Sequence, residues 1–221
     1  LVCFEKKSSA SGIVIVEALN SRIIMLHFDD GYVRYHQRGE ARQNEWVVSE
    51  PLDILKAVNI LNYSVKSDDG FYSNQRNPLK ITRKSKGTEF TWLCQNWTST
   101  GCVNSKPDHA KEHWIYLQLP EPLEMGKVYT VFTNDIAGNG KEWEIDFTPE
   151  KNRTEAVHVN IIGYDPRAPK KYGYVYHWAG ESGGIDFSEY KGNNFYLVNT
   201  KSGQKEFTGK LAFRKSKTNV E

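Results

Sequence analysis

The strongest constraint in this sequence is a rhythm. Short runs rich in Val, Ile, Tyr, Phe and Thr recur along the chain, and Gly, Asn, Asp or Pro breaks them about every eight to twelve residues. Residues 13–17, 22–28, 32–36, 62–66, 79–82, 89–93, 113–119, 127–133 and 142–147 are such runs, followed by 157–161, 172–178, 194–199 and 204–213. No segment sustains a 3.6-residue period. Leu52, Ile54, Leu55 and Val58 supply one or two helical turns, with Ser49 or Asp53 as the cap. The chain therefore reads as all-β, and many short strands with regular turn signals predict β-sandwiches. Within 113–119, Trp114, Tyr116 and Gln118 alternate with Ile115, Leu117 and Leu119, so that strand has two different faces. Asp29-Asp30-Gly31 lies between two β-rich runs and predicts a hairpin turn, because Gly supplies the positive φ of a primed turn. His27 and His36 then straddle that hairpin as solvated cross-strand neighbours.

Composition excludes several classes. The 221 residues carry a formal charge of only +2, which is not the clustered basic footprint of a nucleic-acid binder. No apolar stretch is long enough to span a membrane. Aromatics make up 13%, enough to fill real cores, so the chain is not disordered. Its first residue is Leu1, as expected of a processed chain, one cloned without its start, or a fragment. Residues 1–11 read as an N-terminal tail, the end of a signal peptide or a short strand. The polar stretch Thr148-Pro149-Glu150-Lys151-Asn152-Arg153-Thr154 marks a boundary. The organisation expected is a sandwich over 12–148, a linker over 149–156 and a second sandwich over 157–221. The second region is short of the roughly 100 residues of a full seven-strand sandwich, so it is expected to be incomplete at its C-terminal side.

Three cysteines leave room for one bridge and one odd thiol. Cys94 and Cys102 bracket a short loop and are the candidate disulfide in an exported protein; Cys3 is either an ordinary free thiol or a lipid-anchoring cysteine. Val2 before it is not the small residue that a bacterial lipobox favours.

Candidate chemistry is sparse. Asp29-Asp30, Asp68-Asp69 and Glu121 with Glu124 are acidic pairs, but glycosidase work needs two facing carboxyls about 5–10 Å apart. Both Asp-Asp pairs precede Gly and read as turn chemistry. Together with Asp135 they lack calcium-loop spacing. His109 and His113 flank Glu112 at a spacing that suits zinc only on a helix, and His113 opens a β-run. Hence no catalytic residue, metal site or cofactor is expected. Asn62, Asn96 and Asn152 match the N-glycosylation acceptor pattern at near-chance frequency.

Aromatics are the best binding candidates. Trp92, Trp97 and Trp114 lie in or near residues 94–111, and Tyr172, Tyr174, Tyr176 and Trp178 share one face of a predicted strand. Flat aromatic faces suit sugar rings, which makes Trp97, Trp92, Tyr174, Tyr176 and Trp178 candidate glycan-stacking residues. The competing reading places these rings in a core or against a neighbouring domain.

Two resemblances add to this. Val157-His158-Val159-Asn160-Ile161-Ile162-Gly163-Tyr164-Asp165-Pro166-Arg167-Ala168-Pro169-Lys170-Lys171 resembles the opening of the N-terminal immunoglobulin-like domain of family nine, cellulase-type glycoside hydrolases. Phe195-Tyr196-Leu197-Val198-Asn199-Thr200-Lys201-Ser202-Gly203, followed by Gly209-Lys210-Leu211, is similar to a later strand–turn–strand of that domain. Ser49-Glu50-Pro51-Leu52-Asp53, Asn62-Tyr63, Leu79-Lys80-Ile81, the stretch Leu123-Glu124-Met125-Gly126-Lys127-Val128-Tyr129-Thr130-Val131 and Asp135-Ile136-Ala137-Gly138-Asn139 resemble bacterial immunoglobulin-like domains over about 12–148. Residues 94–111 depart from that pattern as an insertion. The resemblances imply two tandem immunoglobulin-like sandwiches, secreted or at the bacterial cell surface. They imply a non-catalytic accessory region of a polysaccharide-degrading hydrolase, which packs on and positions a downstream catalytic barrel. A carbohydrate-binding module with polysaccharide as partner, or a surface adhesion protein, are the alternatives.

Overall fold

The computed structural model describes residues 11–41 and 45–216. Strands account for 46% of it and helix for 6%, so the chain is all-β. It divides into two compact units, Leu1–Thr154 and Glu155–Glu221.

The first unit contains β1 (Gly12–Asn20), β2 (Ile23–Asp29), β3 (Gly31–Arg34), β4 (Trp46–Ser49), β5 (Ser64–Ser67), β6 (Lys80–Thr98), β7 (Gly101–Gln118), β8 (Val128–Phe132) and β9 (Glu142–Asp146). One antiparallel sheet has the order β1-β2-β7-β6, a second has the order β5-β8-β9, and β3 pairs with β4. Ile24, Leu26 and Phe28 of β2 join Ile115 and Leu117 of β7 and Val65, Tyr129, Val131 and Ile145 of the smaller sheet in one apolar core. This is a sandwich-like arrangement, with period-two alternation turning the same-parity residues of each strand inward. β2 is central and its other face is buried too, at Met25, which explains its nearly unbroken apolar run.

Three tyrosines are buried with their hydroxyls satisfied. Tyr63 donates to the Ala57 carbonyl at 2.8 Å and Tyr72 to the Glu121 carbonyl at 2.6 Å, while Tyr129 donates to the Asp69 carboxylate. Burial pushes the Tyr72 phenol up to about 12 and holds Tyr63 and Tyr129 well above the ordinary phenol range. The helical signal yields one turn, α1 (Ile54–Ala57), capped by Asp53, whose carboxylate accepts from the Lys56 amide at 3.1 Å.

Asp29-Asp30-Gly31 is not a hairpin turn. β2 already has β1 on one edge and β7 on the other, so the run after Gly31 has no edge of β2 to pair with. It turns a corner instead and pairs with β4. Asp29 accepts the Gly31 amide at 2.8 Å, and Gly31 has φ +138°. A Cβ on Gly31 would stand 2.0 Å from the Val48 carbonyl oxygen, so the corner requires glycine. His27 and His36 consequently lie apart, each on a different carboxylate.

The runs at 79–82 and 89–93 are one strand. Arg83-Lys84-Ser85-Lys86-Gly87 between them has little strand propensity, but its pairing with Lys111–Ile115 of β7 holds it extended. The supposed insertion at 94–111 is the outer half of this β6–β7 hairpin. β2 pairs with β7 only as far as Glu112, so beyond it the two long strands pair only with each other.

In the second unit, β10 (Val157–His158) pairs with β11 (Tyr174–Val175), and β12 (Asn194–Val198) with β13 (Lys205–Lys210). The runs at 157–161 and 172–178 thus give strands of only two residues. Asn160 ends the first: its side chain accepts the Ile162 amide at 3.1 Å and its carbonyl accepts the Gly163 amide at 3.1 Å, forming a tight turn. Among the described residues of this unit only Ala156, His177 and Ala179 are buried. No helix among the described residues is long and apolar enough to cross a membrane.

Candidate functional site

The outer end of the β6–β7 hairpin gathers Trp92, Trp97, Cys94 and Cys102. Cys94 and Cys102 are joined by a disulfide with a Cα–Cα distance of 5.8 Å. Trp92, Trp97, the disulfide, Val103 and Asn104 line a cleft of about 450 Å³, and Glu45, just before β4, forms another part of its wall. Residues 90 and 92 share one face of β6 by strand alternation. Phe90 and Trp92 are about half exposed and meet edge to face at 5.6 Å and 88°. Neighbouring side chains of the opposite parity point the other way: Thr91 is buried, and Glu89 accepts the Val33 amide at 2.6 Å. The β3–β4 hairpin and the segment before β4 therefore meet β6 through Glu89 and Thr91, while Phe90 and Trp92 stay about half exposed.

Trp114 belongs elsewhere. It is buried and stacks on His27 at 4.3 Å, with the Lys84 ammonium 4.2 Å above its ring. His27 in turn bonds Glu112 at 2.6 Å.

The second-unit aromatics form their own row. Tyr172 and Tyr174 lie nearly parallel at 6.4 Å, Tyr176 stacks on His158 at 4.0 Å, and Trp178 bridges to Gly184. All four side chains are exposed.

The two Asp-Asp pairs make fold contacts. Asp69 is buried on the Tyr129 hydroxyl and the Tyr72 amide, and Asp29 holds Gly31. His109, on β7, lies over Gly87 of β6, and His113 is buried beside Asp30. Among the described residues no three His, Cys, Asp or Glu side chains converge on a metal position. Asn62 and Asn152 spend their amides on the Lys56 and Ala18 carbonyls, whereas Asn96 is exposed near the hairpin end. Cys3 lies outside the described residues.

Sequence reasoning missed one constellation. Ser85 Oγ lies 2.7 Å from His113 Nδ1, and His113 Nε2 lies 3.0 Å from Asp30, whose other oxygen accepts the Leu52 amide at 3.0 Å. Burial alone would raise the Asp30 pKa; hydrogen bonds from His113 and the Leu52 amide outweigh it and hold the carboxyl below its ordinary value. The residue types are those of a hydrolase triad, but acyl transfer also needs oxyanion donors and a substrate pocket. Ser85 sits in mid-strand, paired across the ladder with His113 itself, and does not line the cleft at the hairpin end. Within the fold the line gives both nitrogens of a buried imidazole a partner. Ser85 and Asp30 stand 28 and 83 residues from His113 in sequence, so only the β6–β7 register and the Asp30 corner reveal it.

The chain matches no protein-family model, no curated protein and no solved structure.

Proposed function

We propose that this chain is the non-catalytic accessory region of an exported, family nine-type polysaccharide-degrading hydrolase. The first unit acts as an immunoglobulin-like sandwich, and the second packs on the catalytic barrel and positions it. The observation that carries this reading is the surface of the second unit. Ile161 is 98% exposed and Ile162 94%, and Leu197, Phe207 and Trp178 are each more than half exposed. So much apolar surface on so small a unit marks an interaction face. Burying an isoleucine side chain contributes about 1.5–3 kcal/mol, so the Ile161–Ile162 turn alone is a substantial anchor.

Two further observations support the reading. The first unit's sheets, β1-β2-β7-β6 and β5-β8-β9, follow the four-plus-three strand order of constant-type immunoglobulin domains. The Cys94–Cys102 disulfide suits an oxidising, extracytoplasmic compartment. In this reading β3–β4 and the outer β6–β7 hairpin are additions to the basic sandwich.

The test is turnover of a soluble β-glucan. The 221-residue polypeptide is expected to release no reducing ends, while the protein purified from its natural source hydrolyses the glucan and loses activity when Ile161 and Ile162 are both changed to Ser in the native gene. Turnover by the 221-residue polypeptide alone would sink the proposal, as would a native protein indifferent to the double change.

A further inference from the structure

We propose that the cleft at the outer end of the β6–β7 hairpin binds a neutral saccharide, with one sugar ring laid on the Trp92 indole and its hydroxyls directed to Glu45 and Asn104. This goes beyond the packing role above and does not rest on it. The site and the apolar surface of the second unit are on different units of the chain.

Four observations converge on this ligand. The cleft, at about 450 Å³, falls within the roughly 300–1,000 Å³ of small-molecule sites. Trp92 is 56% exposed on the outer part of the hairpin, where, among the described strands, β6 pairs only with β7. A large ring left in water on a two-stranded arm contributes little to the fold, so its flat surface is free to serve as a platform. The Glu45 side chain is only 10% exposed yet forms part of the cleft wall. Its carboxylate is held in place by His36 on one oxygen and by Thr91 at 3.4 Å on the other. A positioned carboxylate accepts hydrogen bonds from hydroxyl groups, and Asn104 and Ser105 in the same wall add both donors and acceptors.

These features select among ligand classes. An anion would meet the Glu45 carboxylate, and a hydrocarbon would offer the polar side chains of Asn104 and Ser105 in the wall no hydrogen bond. A pyranose matches both halves. Its axial C–H face suits the electron-rich face of an indole, and its equatorial hydroxyls suit the polar wall. The disulfide has a defined part in this. Cys94 and Cys102 line the cleft, and their bond ties the strand carrying Trp92 to the strand carrying Val103 and Asn104. It preorganises the site, so binding is sensitive to reduction.

The experiment is affinity electrophoresis of the 221-residue polypeptide in native gels containing barley β-glucan, hydroxyethyl cellulose, xyloglucan or galactomannan. Retardation is expected in at least one gel. Trp92→Ala and Trp97→Ala are each expected to weaken it about tenfold, and dithiothreitol to weaken it as well. Trp92→Tyr, which keeps a flat ring, retains most of the retardation and guards against misfolding of the Ala variant. Trp178→Ala, on the exposed row of the second unit, leaves it unchanged. Migration unaffected by all four polysaccharides overturns the proposal. So does retardation that survives the Trp92→Ala, Trp97→Ala double change, or that is lost in Trp178→Ala instead. None of these results bears on whether the second unit packs on a catalytic barrel, which the turnover and native-gene experiments decide separately.

Discussion

Replacing Asp30 with Ala removes the acceptor at the corner between β2 and β3. Two donors lose their partner, His113 Nε2 and the Leu52 amide, each at 3.0 Å. All three residues are interior: Asp30 and Leu52 are 5% exposed and His113 is 4% exposed. An orphaned buried donor costs about 1–3 kcal/mol. With two donors orphaned, we expect Asp30→Ala to destabilise the first unit by about 2–6 kcal/mol. Asp30→Asn should cost less than about 2 kcal/mol. Its carbonyl oxygen keeps the Leu52 amide, and its amide nitrogen donates to His113 Nε2 once the imidazole proton moves to Nδ1, where Ser85 Oγ, 2.7 Å away, accepts it. Urea unfolding at neutral pH, followed by circular dichroism and tryptophan fluorescence, measures both. An Asp30→Ala chain within about 1 kcal/mol of the parent, or an Asn variant as damaged as the Ala variant, would refute the reasoning. The pH dependence has a definite sign. The folded-state pKa of Asp30 lies below its ordinary value of 3.8, because the His113 and Leu52 hydrogen bonds outweigh the opposing effect of burial. Its contribution is present above the unfolded pKa and is lost as pH falls through the lower, folded one. The stability gap between parent and Asp30→Asn should thus be flat near neutrality and close only below about pH 4.

Gly31→Ala should destabilise the first unit by about 2–4 kcal/mol in the same urea assay, because φ +138° and the Val48 carbonyl leave no room for a methyl group. Ultraviolet titration of the 12 tyrosines should leave Tyr63, Tyr72 and Tyr129 un-ionised at pH 11. Because their folded pKa values are raised, their contribution is present below the unfolded pKa near 10 and is lost as pH rises through about 12, where Tyr72 ionises. Complete ionisation of all tyrosines by pH 11 in the folded protein would contradict the buried placement. Reducing Cys94–Cys102 should loosen the hairpin end by about 2–3 kcal/mol. Hydrogen exchange should speed up over residues 92–106 and stay unchanged in the β2–β7 core; equal protection before and after reduction would count against it.

The all-β class was legible because strand runs and turn residues agree along the whole chain, and no 3.6-residue period competes with them. The α1 cap was legible as one of two candidates: of Ser49 and Asp53, Asp53 caps the turn. Other features depend on pairing that no local pattern reveals. Residues 83–87 lack β-propensity and become strand only because β7 runs beside them. Asp-Gly carries the same local signal in a hairpin turn and in a strand corner; occupancy of both β2 edges decides between them. Trp92, Trp97, Cys94 and Cys102 meet because one hairpin carries all four, so sequence spacing already places them close together. Ser85, His113 and Asp30 meet through a ladder and a corner far apart in the chain. The second unit shows the opposite limit. Its β-rich composition suggested long strands at 157–161 and 172–178, but without a core to pack against, turn chemistry at Asn160 and Gly163 prevails over propensity.

In the proposed reading, the second unit's apolar surface is covered by a catalytic domain of the same protein. The most direct measurement is the intact mass, under denaturing conditions, of the protein isolated from its natural source. A polypeptide heavier than 25.4 kDa by at least one further domain, roughly 100 residues or more, is expected. A native mass of 25.4 kDa would contradict it.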